Sequence, residues 1–268
     1  MGAAMLRQTI AFGLLASACQ HVPQPEEAPM PASKNTSVLP ASVVRFATAG
    51  GLAVTLRPRP GRGVVALQAW VRAGSADEAA GEEGLAHLHE HMLFKGTEAF
   101  GVGAIDRAVS AVGGEINAWT SFDETVYHLT LPAEHAGVGM TILAEVLRRA
   151  LFDATELTAE LAVVQEEIRI DRDDPGRRLG QRLFAAAYGP SHPYGRDIAA
   201  SVEQVAGLDQ AKLRAFYAKH YHPKNIRLML TGDLDRVAAE ELVSAAFGDW
   251  VEPGEAGARS RPEAAGKS

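Results

Sequence analysis

The chain has 268 residues, of which 47% are hydrophobic, so it can fill the core of one large domain or two small ones. Its 33 acidic and 26 basic residues give a net charge of −7, and no basic stretch is concentrated enough to neutralise several phosphates. This composition indicates a globular protein and argues against nucleic acid as a partner. The single cysteine, Cys19, excludes an intramolecular disulfide, so any metal must be held by His, Asp or Glu.

Residues 1–19 predict an export signal. Arg7 precedes an apolar run over 9–18 that is too short to span about 30 Å of hydrocarbon as a helix, and small residues end the run just before Cys19. The Ala-Ser-Ala-Cys junction resembles a bacterial lipoprotein box, although Ala16 stands where such boxes prefer Leu. Ordinary cleavage at an Ala-x-Ala site is the alternative. We expect an exported bacterial protein that is either periplasmic or anchored to the outer membrane by a lipid on Cys19.

The regions on either side of the predicted domain differ from it in composition. Residues 20–41 are rich in Pro, Ala and polar residues without apolar periodicity, which predicts a flexible tether. Residues 252–268 are dominated by Gly, Pro, Ala and charge, which predicts a linker or disordered tail. The folded domain should therefore occupy residues 42–251.

Within that domain, hydrophobic periodicity and turn signals predict strands at both ends and helices between them. The predicted strands are 43–47, 52–56, 64–71, 116–120, 125–131 and 226–230, and the predicted helices are 84–94, 105–112, 134–151, 156–173, 177–188, 208–220 and 235–247. This order predicts an α+β fold with a mixed or largely antiparallel sheet, covered by helices on one face.

The predicted helix 84–94 contains His87, Glu90 and His91 in the order His-x-x-Glu-His. At 3.6 residues per turn these three side chains share one face, whereas His89 points away and is not expected to be a ligand. Two imidazoles one turn apart can hold one zinc ion while the adjacent carboxylate accepts a proton from water. The alternative is a surface histidine cluster, because the apolar residues of the segment would pack the helix without a metal.

A catalytic zinc usually takes a third protein ligand. The helix 156–173 offers Glu156, Glu160, Glu166 and Glu167. Helix charges most often form a solvated face, so the pattern of this helix does not by itself choose among them.

Several separated segments together resemble one known family. They are GLAHLHEHMLFKGT at 84–97, GGEINAWTSFDETVY at 113–127, ELAVVQEEI at 160–168, HPYGR at 192–196, and the short matches at 216–217 and 231–233. In this order they are similar to the signature segments of the insulinase/pitrilysin and mitochondrial-processing-peptidase family of zinc peptidases. The resemblance extends over residues 42–251.

The resemblance implies roles for further residues. Glu167, 76 residues beyond His91, matches the third ligand of a single zinc ion, and Glu160 matches an acid that orients a ligand or holds a proton. Asn117 and Ala118 match the edge strand on which the family binds an extended peptide. Asn117 could instead be a turn or cap residue after Gly114.

The resemblance also implies that a second homologous domain or chain, hetero- or homodimeric, closes on the peptide and supplies an Arg and a Tyr for the oxyanion. The sequence therefore predicts a zinc endopeptidase half-enzyme or subunit acting on peptides or unfolded segments. The alternative is a non-catalytic metal-binding assembly subunit paired with a catalytic homologue. The presence of His87, Glu90, His91 and Glu167 favours a chain that can still bind metal.

Overall fold

A computed structural model describes residues 43–251. The predicted signal over 1–19 with its lipidation site Cys19, the tether 20–41 and the tail 252–268 lie outside the described residues. The strands are β1 Val44–Ala47, β2 Ala53–Pro58, β3 Val64–Val71, β4 Glu115–Thr120, β5 Thr125–Pro132 and β6 Ile226–Gly232. The helices are α1 Leu85–Met92, α2 Ala104–Ala111, α3 Ala136–Arg148, α4 Ala154–Asp173, α5 Pro175–Tyr188, α6 Val202–Ala206, α7 Gln210–His220 and α8 Arg236–Phe247.

The six strands form one sheet in the order β1-β2-β6-β3-β5-β4. The β2–β6 pair is parallel, and the β1–β2, β3–β6, β3–β5 and β4–β5 pairs are antiparallel. The late strand β6 lies between β2 and β3, so the two ends of the domain are joined in the middle of the sheet. The predicted α+β class with a mixed, largely antiparallel sheet is confirmed.

Alternating side chains explain why helices cover one face of the sheet. In β6, Ile226, Leu228 and Leu230 are buried while the residues between them are exposed. Strand β3 shows the same period of two, with Val65, Leu67, Ala69 and Val71 in the core. The apolar face therefore packs against the helices, and the opposite face carries polar and aromatic side chains.

Helix α3 packs closely against the sheet. It buries nine of its thirteen residues, and a Cβ built at Gly139 would come within 2.8 Å of both Leu131 and Leu67. Glycine at this position allows that approach without a shift of either leucine side chain. Among the described residues, no helix combines the length and the apolar character needed to cross a membrane.

Most predicted helices agree with the structure to within one or two residues at each end, and three differences are informative. The predicted helix 84–94 is shorter, because Gly84 has a left-handed conformation (φ 90°) and precedes the first helical residue. The predicted helix 134–151 begins later, after a 3-10 turn over Ala133–His135, and ends at Arg148, since Ala150 pairs with Thr97 in an isolated β-bridge. Helix α6 was not predicted, because five residues are too few to establish a helical period.

Candidate metal centre

Helix α1 is held in the core by one face and presents the other to a cleft. Leu85, Leu88 and Met92 are buried, and His89 is fully buried on the same side. The two ring nitrogens of His89 lie 2.8 Å from the Leu85 carbonyl and 2.9 Å from the Leu213 carbonyl. His89 is therefore part of the packing of α1, on the side that its angular position predicted.

The N-terminus of α1 is fixed by a buried carboxylate. Glu78 accepts hydrogen bonds from the N–H groups of Gly84 at 3.1 Å and Ala86 at 2.8 Å. Burial raises the pKa of Glu78 to about 8, although both hydrogen bonds and the nearby Arg196 act in the opposite direction. The cap sets where α1 starts and hence where the histidines of α1 point.

Helix α4 brings a carboxylate to both of the cleft-facing histidines. Glu167 Oε2 lies 3.3 Å from His91 Nε2 and 3.8 Å from His87 Nε2. One ligand atom from each of the three residues lies within 4.8 Å of the other two. The two imidazoles meet edge to face with ring centroids 4.8 Å apart. His87, His91 and Glu167 thus converge from two helices on one point.

The chemistry of this group fits a zinc ion. Two imidazole nitrogens and one carboxylate oxygen are a donor set of catalytic zinc sites. Burial, with smaller contributions from the charges of His91 and Arg177, lowers the pKa of His87 to about 4. His87 is consequently neutral at physiological pH, and a neutral imidazole has the lone pair that a metal needs.

Glu90 lies one residue before His91 and is held by the sheet. Its Oε2 accepts a hydrogen bond of 2.6 Å from the Thr120 hydroxyl at the end of β4. Burial raises the pKa of Glu90, and the Thr120 hydrogen bond and the charge of His91 partly oppose that rise. A carboxylate beside the ligands whose proton affinity is increased can exchange a proton with a bound reactant.

Glu160 lies behind His91 on α4. Only 5% of the residue is exposed, and its Oε2 is 3.2 Å from His91 Nδ1. Its other oxygen, Oε1, is 2.6 Å from Lys95 Nζ. Glu166, one residue before Glu167, is instead exposed and pairs with Arg169 at 2.9 Å, so it takes no part in the cluster.

Asn117 and Ala118 lie on β4, which is an edge strand of the sheet. Both residues line the same cleft of about 860 Å³ as the histidines and Glu167. The Asn117 Oδ1 accepts a hydrogen bond of 2.8 Å from the Ala118 N–H. The cleft therefore has the cluster of His87, His91 and Glu167 on its helical side and, within residues 43–251, a strand edge that pairs with no further strand on its sheet side.

Three contacts of the site were not predicted from sequence. They are the Glu78 cap on α1, the Thr120 hydroxyl on Glu90 and the Lys95 ammonium on Glu160. Thr120 and Lys95 lie inside the segments that resemble the peptidase family. That resemblance is the one feature of the sequence that could have indicated a role for them. Their partners are 30 and 65 positions away along the chain, so the contacts appear only when β4 and α4 are folded against α1.

Comparison with known proteins agrees with this geometry. The family model for insulinase-type peptidases, peptidase family M16, matches residues 53–200. The model for the family's inactive domain matches residues 207–267, and the described part of that segment adds β6 to the same sheet. The first match includes His87, Glu90, His91 and Glu167.

The chain is similar to curated proteins that are longer than it is. It is 33% identical over 208 residues to an uncharacterized zinc protease of Mycobacterium leprae, covering 78% of this chain and 46% of the relative. It is 30% identical over 221 residues to an uncharacterized zinc protease of Bacillus subtilis, covering 82% and 54%. The chain spans about half the length of the curated relatives it matches.

Solved structures give the same result. A protease from Helicobacter pylori superposes with a TM-score of 0.77 at 28% identity, covering 84% of this chain and 53% of that one. The periplasmic protease PqqL of Escherichia coli superposes with a TM-score of 0.77 at 28% identity, covering 82% and 25%. With the family match, these relatives and the cluster on α1 and α4 together, the chain belongs to the insulinase family of zinc proteases, peptidase family M16.

Proposed function

We propose that this chain is the catalytic half of a zinc-dependent endopeptidase that cleaves extended peptides or unfolded protein segments, with one zinc ion per chain. The observation that carries the proposal is the convergence of His87, His91 and Glu167 within 4.8 Å. The Glu90 carboxylate lies beside them, on the helix that carries the two histidines. A His-x-x-Glu-His helix with a carboxylate from another helix as the third ligand is a full set of residues for metal-assisted hydrolysis.

The residues of the chain divide the chemistry among them. Zinc held by His87, His91 and Glu167 would supply a Lewis acid that acidifies water and polarises a carbonyl. Glu90 accepts the proton of the attacking water and then gives it to the leaving amine. Because the Thr120 hydroxyl holds Glu90 Oε2 at 2.6 Å, Oε1 is the oxygen that serves this transfer.

The edge of β4 is the proposed binding strand for the peptide. The Ser121 N–H donates to the Glu124 carbonyl at the turn between β4 and β5. Since bonded pairs alternate in an antiparallel ladder, the backbone of Ile116, Ala118 and Thr120 faces the free edge. A peptide would pair with those groups by strand addition, and Asn117 would have to release the Ala118 N–H that it now covers.

A second homologous half is part of the proposal. The matched segment makes up 46% of the Mycobacterium leprae relative and 25% of the E. coli periplasmic protease. The cleft side opposite β4 is formed by helices with exposed side chains, such as Ile170. A second domain or a partner chain closing there would exclude water and supply the cationic and hydroxyl groups that stabilise an oxyanion.

Peptide hydrolysis tests this proposal. The chain is loaded with zinc and assayed on a quenched peptide, alone and together with the second half taken from a longer relative. We expect hydrolysis that needs both halves and is lost in Glu90→Gln, which keeps its zinc because Glu90 is not a ligand. Glu240→Gln, on the surface of α8, serves as the matched control. Hydrolysis that survives Glu90→Gln would contradict the mechanism.

The same assay separates the alternative function, a metal-binding assembly subunit without catalysis. That reading gains support from the match of 207–267 to the inactive-domain model. It predicts bound zinc but no hydrolysis with any second half. The intact Glu90 beside the ligands favours the catalytic reading, because an assembly role needs no proton acceptor at that place.

We also propose that the protein is exported and lipidated at Cys19, as the 1–19 segment predicts. The measurement is mass spectrometry of the mature protein from a bacterial host. Lipid on an N-terminal Cys19, absent from Cys19→Ser, is the expected result. An unmodified N-terminus from cleavage after Ala18 would favour the ordinary signal, and a retained Met1 would contradict export.

A further inference from the structure

Lys95 lies three residues beyond the end of α1, and backbone hydrogen bonds hold the chain on both sides of it. Its N–H donates to the Met92 carbonyl at 3.1 Å, and the Gly96 carbonyl accepts from the Leu151 N–H at 3.1 Å. Thr97, two residues on, donates its hydroxyl to the buried Glu145 at 3.0 Å. The lysine stem therefore starts from a defined point, although 35% of its side chain is exposed.

The Lys95 ammonium ends on a buried carboxylate. Lys95 Nζ lies 2.6 Å from Glu160 Oε1, while the second oxygen of Glu160 faces His91 Nδ1 at 3.2 Å. A buried carboxylate needs partners for both oxygens, and removing one partner leaves it free to turn. Lys95 and His91 are the partners that the described residues provide to Glu160.

We propose that Lys95 is a positioning residue of the metal centre. By holding Glu160 Oε1 it directs Oε2 to His91 Nδ1, and the bond to Nδ1 keeps the opposite nitrogen, Nε2, directed at Glu167 and the zinc position. A carboxylate behind a ligand histidine fixes the ring orientation and tautomer. The inference deepens the proposed function and rests on zinc binding at that site.

The two ligand histidines differ in this support. His87 Nδ1 is buried and has no hydrogen-bond partner within residues 43–251, whereas His91 Nδ1 has Glu160. Of the two histidines, only His91 is thus oriented by a carboxylate within residues 43–251. It follows that Lys95 should affect zinc affinity only while the Glu160 carboxylate is present.

The experiment measures zinc affinity by chelator competition on the full chain. The variants are Lys95→Met, Lys95→Arg, Glu160→Gln and the double variant Lys95→Met/Glu160→Gln, with the exposed Lys219→Met as control. We expect Lys95→Met to weaken zinc binding about 10-fold, the lower end of outer-shell effects. Lys95→Arg should restore most of that affinity, and Lys95→Met should cause no further loss in the Glu160→Gln background.

Several outcomes would overturn the inference. Unchanged affinity in Lys95→Met would show that Lys95 is only a surface ion pair. An equal loss with and without Glu160 would show that Lys95 acts through the fold of the 95–101 loop. If Lys95→Met does not fold, the zinc affinities of Lys95→Arg and Glu160→Gln test the inference instead. The inference requires a small loss of affinity in Lys95→Arg and a large loss in Glu160→Gln. A parent chain without zinc affinity would contradict the proposed function as well, which separates the two failures.

Discussion

The two sides of the metal centre are built differently. Helix α1 buries five of its eight residues, and the His87 and His91 side chains are only 18% and 15% exposed. Helix α4 buries four of its twenty residues, α5 buries none, and the Glu167 side chain is 45% exposed. The core therefore sets the positions of the histidines, whereas the proposed third ligand, Glu167, lies on a helix with few buried residues.

This difference teaches which part of the centre is formed in advance. Ligands on a well-packed helix are held near their final geometry, and a ligand on a weakly packed helix needs the metal to fix it. Substitutions in the packed face of α1, which carries the histidines, should lower the stability of the fold. The glutamate side should respond to substitution mainly through zinc affinity.

The largest expected effect is the loss of a histidine ligand. His91→Ala removes a ring that faces Glu167 on one side and Glu160 on the other, so tight zinc binding should disappear. Metal content after dialysis, compared between the parent and the variant, measures this effect. His135→Ala, at a partly exposed position before α3, is the control. Zinc content in His91→Ala equal to that of the control would refute the site.

Core truncation should distinguish the two sides by stability. Leu88→Ala empties a fully buried position on α1 and should lower the free energy of unfolding by about 2–5 kcal/mol. Leu183→Ala, at a position 64% exposed on α5, should change it by less than about 0.5 kcal/mol. Urea unfolding measures both. Similar losses in the two variants would mean that α5 is packed as firmly as α1.

Glu167→Gln should weaken zinc binding by at least about 100-fold, the upper end of outer-shell effects, because it removes a charged ligand. The loss should stay smaller than that of His91→Ala, since both histidines remain in place. Glu166→Gln on the same helix is the matched control and should bind zinc like the parent, because Glu166 faces solvent. Competition with a chelator gives the three affinities. Equal losses at 166 and 167 would contradict the assignment.

A further prediction concerns pH and the cap on α1. The pKa of Glu78 is about 8 in the folded chain against 4.5 for the free group, so between these values the folded chain holds a proton that the unfolded chain has released. Stability should therefore fall as the pH rises through this range. Glu78→Gln cannot ionise at this position. Its free energy of unfolding relative to that of the parent should therefore increase from pH 5 to pH 8.

Urea midpoints at pH 5, 6.5 and 8 measure this change. The exposed Glu241→Gln should follow the pH dependence of the parent. A Glu78→Gln curve parallel to that of the parent would show that burial does not raise the proton affinity of this cap.

The comparison also explains what could be predicted from sequence. The histidines of α1 follow from a helical period within one segment, and β3 and β5 follow from their alternation, because these signals are local. Glu167 could be chosen over Glu166 only through the family resemblance. Its helix has few buried positions to mark a face.

Longer-range features left no comparable signal. The parallel pairing of β2 with β6 joins residues about 170 positions apart, and the Lys95 contact crosses from the end of α1 to the middle of α4. Both depend on how the helices and strands pack rather than on any one of them. The short helix α6 could not be predicted for a different reason, because five residues are too few to show a helical period.

The central claim is that His87, His91 and Glu167 together hold the metal. The most direct measurement is anomalous diffraction at the zinc edge from crystals of the zinc-loaded chain. The account predicts one strong peak per chain, between the Nε2 atoms of His87 and His91 and the Glu167 carboxylate. A loaded crystal with no peak there, or with its zinc held by other residues, would contradict it.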